Sequence, residues 1–154
     1  IDKHNGDGFT AIFGLGGEHN NSAQNALDCT QVLVDRYGGI RHDAFGEIGS
    51  TLGLGLGIAN GEVLVGELGS EFRKDIVIFG ESVGLAERLQ ELTKVALLRE
   101  EGRIHLGEFS EAMAICTSEL CSTSPAFKTV QLPESITVRE FAHIKEIGVL
   151  TNDD

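Results

Sequence analysis

The sequence predicts an α+β domain in which helices pack on a mostly antiparallel sheet. Three observations carry that expectation. Leu52, Leu54, Leu56 and Ile58 alternate with Gly53, Gly55 and Gly57, which is the period of a strand. The stretch 75–89, DIVIFGESVGLAERL, reads as a strand turning sharply into a helix. The order of segments, β-α-β-β-α-β, fits helices laid on a sheet. With 154 residues, 41% of them hydrophobic, one core and one domain over 1–154 are expected.

Each element has its own reason. Gly6-Asp7-Gly8 reads as a hairpin tip, and residues 9–13, FTAIF, as the strand that follows it. Ala23, Ala26, Leu27, Val32, Leu33 and Val34 follow helical spacing, with Asn21 or Ser22 as N-cap and Gly38-Gly39 as the stop. Segment 40–50 is then a loop. Asn60-Gly61 is the favoured pair for a two-residue hairpin, so EVLVGEL should return beside the glycine-rich strand. Residues 75–79 make the next strand and 82–94 the helix after it. GRIHL is expected as a short strand, EFSEAMAIC as a short helix, SELCSTSPA as a loop, and FKTVQL with ITVREFAHI as a closing hairpin. Segment 96–102 is another loop.

The glycines 53, 55 and 57 leave one strand face as bare backbone, which weakens a strand unless something approaches closely. A packed helix, a nucleotide or a partner subunit would each account for it.

Charge excludes several functions. The formal net charge is −12, with no cluster of basic residues, eight phenylalanines, one tyrosine and no tryptophan. A nucleic acid polymer would be repelled by such a field. A small polyanion is still acceptable when a divalent metal carries part of its charge. No apolar run is long enough to span a membrane and no secretion signal is visible, so a cytoplasmic location is expected. Cys29, Cys116 and Cys121 read as reduced thiols, and neither they nor the five histidines show the spacing of a metal site.

Three blocks carry glycines and charges in a pattern that folding alone does not demand: KHNGDGFTAIFG, LGLGIANGEVLVGELGS and FGESVGLAERL. Together they resemble the catalytic domain of class III nucleotide cyclases, the adenylate and guanylate cyclases. That family shows K-x-x-G-D-x-x-x-A-x-F-G, then a Gly-Ile-Gly-Ile strand leading into T-G-E-x-x-x-G-x-x-G-S, then G-x-x-V-N-x-A-x-R-L. The likeness covers about residues 1–95. It implies a ferredoxin-like βαββαβ cyclase core. It also implies that the first strand, with one of two metal-binding aspartates, lies upstream of this sequence.

The resemblance implies roles for particular residues. Asp7 falls on a metal-binding aspartate, for Mg²⁺ or Mn²⁺, although an aspartate in a G-D-G turn also shapes the turn. Lys3 falls on a base-reading lysine, and Arg88 on the arginine that stabilises the transition state. The substrate would be a nucleoside triphosphate, cyclised to a 3′,5′-cyclic monophosphate and pyrophosphate within a homodimer whose subunits share active sites. Two carboxylates holding metal ions would activate the 3′-hydroxyl, and a cation would meet the charge developing on the phosphate.

The chain departs from the pattern at the positions that fix the substrate. Val77 stands where the family selects the base, and a valine cannot hydrogen-bond a base edge. Gly84 replaces the ribose-binding asparagine, and VQLPESITV has no lysine for the triphosphate. Bacterial relatives that make cyclic pyrimidine nucleotides in antiviral defence also depart from the purine pattern. Two other readings stand beside catalysis: a degenerate homology domain that binds nucleotide or a partner and regulates, and an α+β domain whose glycines are architectural.

Overall fold

A computed structural model describes residues 3–15, 21–49, 52–94 and 112–150, with only the backbone of 3–5. The first described element is the hairpin of β1 (Lys3–Asn5) and β2 (Gly8–Thr10), in antiparallel register from Lys3 opposite Thr10 to Asn5 opposite Gly8. Gly6 turns the chain with φ of 61°, a conformation open to glycine. The tip is where the sequence puts it. The strand is shorter than FTAIF, because the described ladder ends at the Lys3–Thr10 pair.

Helix α1 (Ser22–Gly49) is longer than its sequence indicates. It runs through Gly38-Gly39 and through most of the segment expected as loop. A glycine costs a helix roughly 1 kcal/mol but does not forbid helical backbone. The break comes instead at Gly46, whose φ of 55° and ψ of −136° kink the chain. Leu27, Thr30 and Val34 bury one face at helical spacing and anchor the first half.

The main sheet has the order β3–β6–β8–β7. Strand β3 (Leu54–Ile58) pairs parallel with β6 (Ala112–Thr117), while β8 (Glu146–Leu150) pairs antiparallel with both β6 and β7 (Phe127–Gln131). The expected Asn60-Gly61 hairpin is therefore absent. Strand β4 (Leu64–Ser70) does not return beside β3 but forms its own two-stranded sheet with β5 (Arg73–Phe79). Gly61 serves a close pass: a Cβ there would lie 2.9 Å from the Ser82 Cβ.

Residues 112–117 are a strand and not the expected helix. All six are buried, so they read as a continuous apolar run with no alternation to mark them. The GRIHL segment and the beginning of EFSEAMAIC lie outside the described residues. The expected loop SELCSTSPA opens with a short helix, α3 (Ser118–Cys121). The closing hairpin exists, but its second strand is 146–150 and not ITVREFAHI. There Val138, Phe141 and Ile144 recur every third residue and close successive turns, with the Phe141 N–H donating to the Val138 carbonyl at 2.9 Å and the Ile144 N–H to the Phe141 carbonyl at 3.0 Å.

Both faces of the main sheet are covered. On one, Leu27 and Val34 of α1 pack with Ala112, Ala114, Cys116 and Phe127, and Leu54, Leu56 and Ile58 border them. On the other, Leu89 and Leu92 of α2 (Glu81–Leu92) pack with Met113, Ile115, Val138, Phe141, Ile147 and Val149. Burying each such large side chain contributes about 1.5–3 kcal/mol. The arrangement is mixed α+β, the class the sequence predicts, and is consistent with a ferredoxin-like core. The bare face of β3 is occupied by α2. A Cβ on Gly55 would meet the Thr93 hydroxyl, and one on Gly57 would meet the backbone of Ala86 and Gln90. Among the three explanations for that glycine face, the packed helix is the one observed. No described helix is long and apolar enough to cross a membrane.

Candidate functional site

Strand β5 passes into α2 through a single residue, Gly80. Its φ of 173° is ordinary extended backbone, so conformation does not demand glycine there. Space does: a Cβ would lie 2.7 Å from the Glu62 carbonyl oxygen and 2.9 Å from Val63 Cγ1. Glu81 follows in the first turn, where a carboxylate complements the helix dipole. This strand–turn–helix unit carries Val77, Gly84 and Arg88 together.

Val77 stands opposite Gly66, and the outward face of that hairpin also carries Leu64, Leu68 and Phe79, all exposed. Among the described residues, a Cβ placed on Gly66 or on Gly84 would meet nothing within 4 Å. The two glycines therefore border open space, unlike Gly55 and Gly57. On α2, Leu89 and Leu92 are buried and Leu85 packs against them. Gly84 and Arg88 lie on a different face, as helical spacing predicts.

Arg88 is the most constrained charge here. Its side chain is 20% exposed; Nη1 donates to Glu91 Oε1 at 2.8 Å and Nη2 to Glu140 Oε1 at 3.2 Å. Nε is buried without a hydrogen-bond partner among the described residues. Burial opposes the guanidinium charge, but Glu140 and Glu91 outweigh it and raise the pKa above its ordinary value. Glu91 was legible as an i,i+3 neighbour. Glu140, 52 positions along the chain from Arg88, carried no local signal.

Asp7 is exposed at the tip of the β1–β2 hairpin. No hydrogen bond or ion pair among the described residues ties it to Arg88. Lys3 pairs with Thr10 through the backbone, and its side chain lies outside the described residues. Among the described residues there is no group of three or more His, Cys, Asp or Glu that could hold a metal ion. Asp7 offers one carboxylate where Mg²⁺ or Mn²⁺ takes about six ligands, so these residues alone do not fit the ion. Cys29, Cys116 and Cys121 are all free thiols.

No protein-family model matches the chain. An adenylate cyclase of Anabaena cylindrica is 33% identical to it over 95 residues, 61% of this chain. The chain spans only 18% of the length of that relative. The similarity supports a relationship to the nucleotide cyclase family.

Proposed function

We propose that this chain provides the catalytic surface of a nucleotide cyclase, which converts a nucleoside triphosphate to a 3′,5′-cyclic monophosphate and pyrophosphate. The observation that carries the reading is the β5–α2 unit. It carries Val77, Gly84 and Arg88 in the order and spacing of the cyclase motif, with Gly84 beside open space and Arg88 largely buried next to it on the helix. The similarity to an adenylate cyclase agrees with it.

In this reading Arg88 meets the negative charge that builds on the phosphates as the 3′-oxygen attacks and pyrophosphate leaves. Val77 gives the base an apolar contact without a hydrogen bond. Gly84 leaves room at the ribose. The departure from the purine pattern at Val77 and Gly84 is what motivates a cyclic pyrimidine product, and with it a role in antiviral signalling. Divalent metal dependence belongs to the reading too. Asp7 would supply one oxygen ligand, with the others coming from outside the described residues.

A homodimer with shared sites also belongs to it. The outward face of β4–β5 leaves Leu64 at 71%, Leu68 at 65% and Phe79 at 60% exposure. A largely apolar sheet face of this kind, with Asp75 opposite Leu68 as its charged member, marks an interaction surface. The test is to incubate the protein with each of the four nucleoside triphosphates and Mn²⁺ and to identify cyclic products by mass spectrometry. Product from one base, lost in Arg88→Ala and in Asp7→Ala, supports the reading.

One observation favours the alternative, a degenerate domain that binds nucleotide or a partner and regulates. Arg88 already has two carboxylate partners, so its charge is satisfied without substrate. Nucleotide binding with no product from any base would establish that alternative.

A further inference from the structure

Glu140 sits in an unusual place for a glutamate. Among the described residues it is the one non-glycine with positive φ, at 68°. It is the third residue of the turn that Phe141 closes on the Val138 carbonyl, a position where positive φ suits glycine or asparagine. Val138 and Phe141 are both buried against α2 and the sheet, so the turn cannot relax by moving away. A charged residue is thus held, against its backbone preference, where its carboxylate reaches Arg88 Nη2.

The electrostatics of this contact oppose an incoming anion. Arg88 lies between Glu91 and Glu140, so the three together carry one excess negative charge. Arg139, 4.0 Å from Glu140 Oε1, offsets this only from an exposed position. A phosphate approaching Arg88 therefore faces that excess negative charge. The two are not equivalent. Glu91 is fixed one turn along the same helix at 2.8 Å, while Glu140 belongs to another segment, bonds at 3.2 Å and is 61% exposed. Glu140 is the partner that can leave.

We propose that Glu140 is a displaceable carboxylate latch: it occupies one edge of the Arg88 guanidinium until a phosphate anion takes its place. The phosphate half of this statement rests on the cyclase reading; the latch half does not. Glu140 is a positioning residue, acting on substrate through Arg88.

Two readouts on the full chain separate the halves. Wild type, Glu140→Gln and Glu140→Asn are compared, asparagine being comfortable at positive φ so that the turn is kept. The first readout is the rate at which phenylglyoxal modifies Arg88, followed by peptide mass spectrometry. The second is binding of tripolyphosphate by calorimetry. The latch predicts faster Arg88 modification in both variants and tripolyphosphate binding tighter by about fivefold, the scale of one partly exposed ion pair. If turnover is present, KM falls by a similar factor and kcat holds. Unchanged Arg88 reactivity in both variants would overturn the latch whatever the anion does. Faster modification with no tripolyphosphate binding by any variant would uphold the latch, overturn its phosphate role and count against the cyclase reading.

Discussion

The Cβ that Gly57 lacks would fall on the carbonyl oxygen of Ala86. Helix α2 therefore lies directly on the backbone of β3, and the glycines of that strand are the floor on which the β5–α2 unit rests. Backbone cannot rotate away as a side chain can. Gly57→Ala should therefore destabilise the fold by about 1–3 kcal/mol or more through overpacking. Chemical denaturation would measure it, and a loss below about 0.5 kcal/mol would contradict the packing.

Gly84 predicts the opposite. It sits inside α2 with no described residue within 4 Å of an added Cβ. Gly84→Ala should stabilise the protein by about 0.5–1 kcal/mol, since glycine is a poor helix residue. Gly84→Asn tests what the open space is for. A rise in cyclisation would mean that an amide at the ribose had been missing, and a fall would mean that the substrate uses the empty volume.

Burial pushes the Cys116 thiol up to about 12, with Cys121 adding to the effect. The folded state thus favours the neutral thiol more than the unfolded state does. Stability from this group is complete below the unfolded pKa of about 9 and declines as pH rises from there toward 12. Thermal melting between pH 8 and 11 should show that decline, and Cys116→Ser should flatten it. At pH 8 a thiol reagent should modify exposed Cys29 well before Cys116.

If the outward face of β4–β5 joins two subunits, charge placed there should separate them. Leu64→Lys and Leu68→Lys should shift sedimentation toward monomer and lower turnover in parallel. Unchanged mass and unchanged turnover would remove this face from the proposed interface.

The legibility of this chain followed local periodicity. β3 announced itself by alternation, and the β5–α2 unit by its β-branched run and following leucine stripe, so Val77, Gly84 and Arg88 were placed correctly on their elements. β6 was hidden because burial on both faces erases the period that separates strand from helix. Gly38-Gly39 read as a stop because propensity favours one there, yet the left-handed residue that breaks α1 is Gly46. The pairing of β3 with β6 joins Leu54 to Ala112 across a long stretch of chain, and no short-range signal could overrule the hairpin promised by Asn60-Gly61. Glu140 was invisible for the same reason: its partner is 52 positions away.

A role for Arg88 in phosphate transfer is central to the proposed function. It is tested most directly by offering ATP, GTP, CTP and UTP separately with Mn²⁺ to wild type, Arg88→Lys and Arg88→Ala, and quantifying cyclic monophosphates by mass spectrometry. Product is expected from one nucleotide, with Arg88→Ala lowering turnover by about 10²–10³-fold and Arg88→Lys retaining a fraction of it. No cyclic product from any nucleotide, or equal turnover in wild type and Arg88→Ala, would contradict that role.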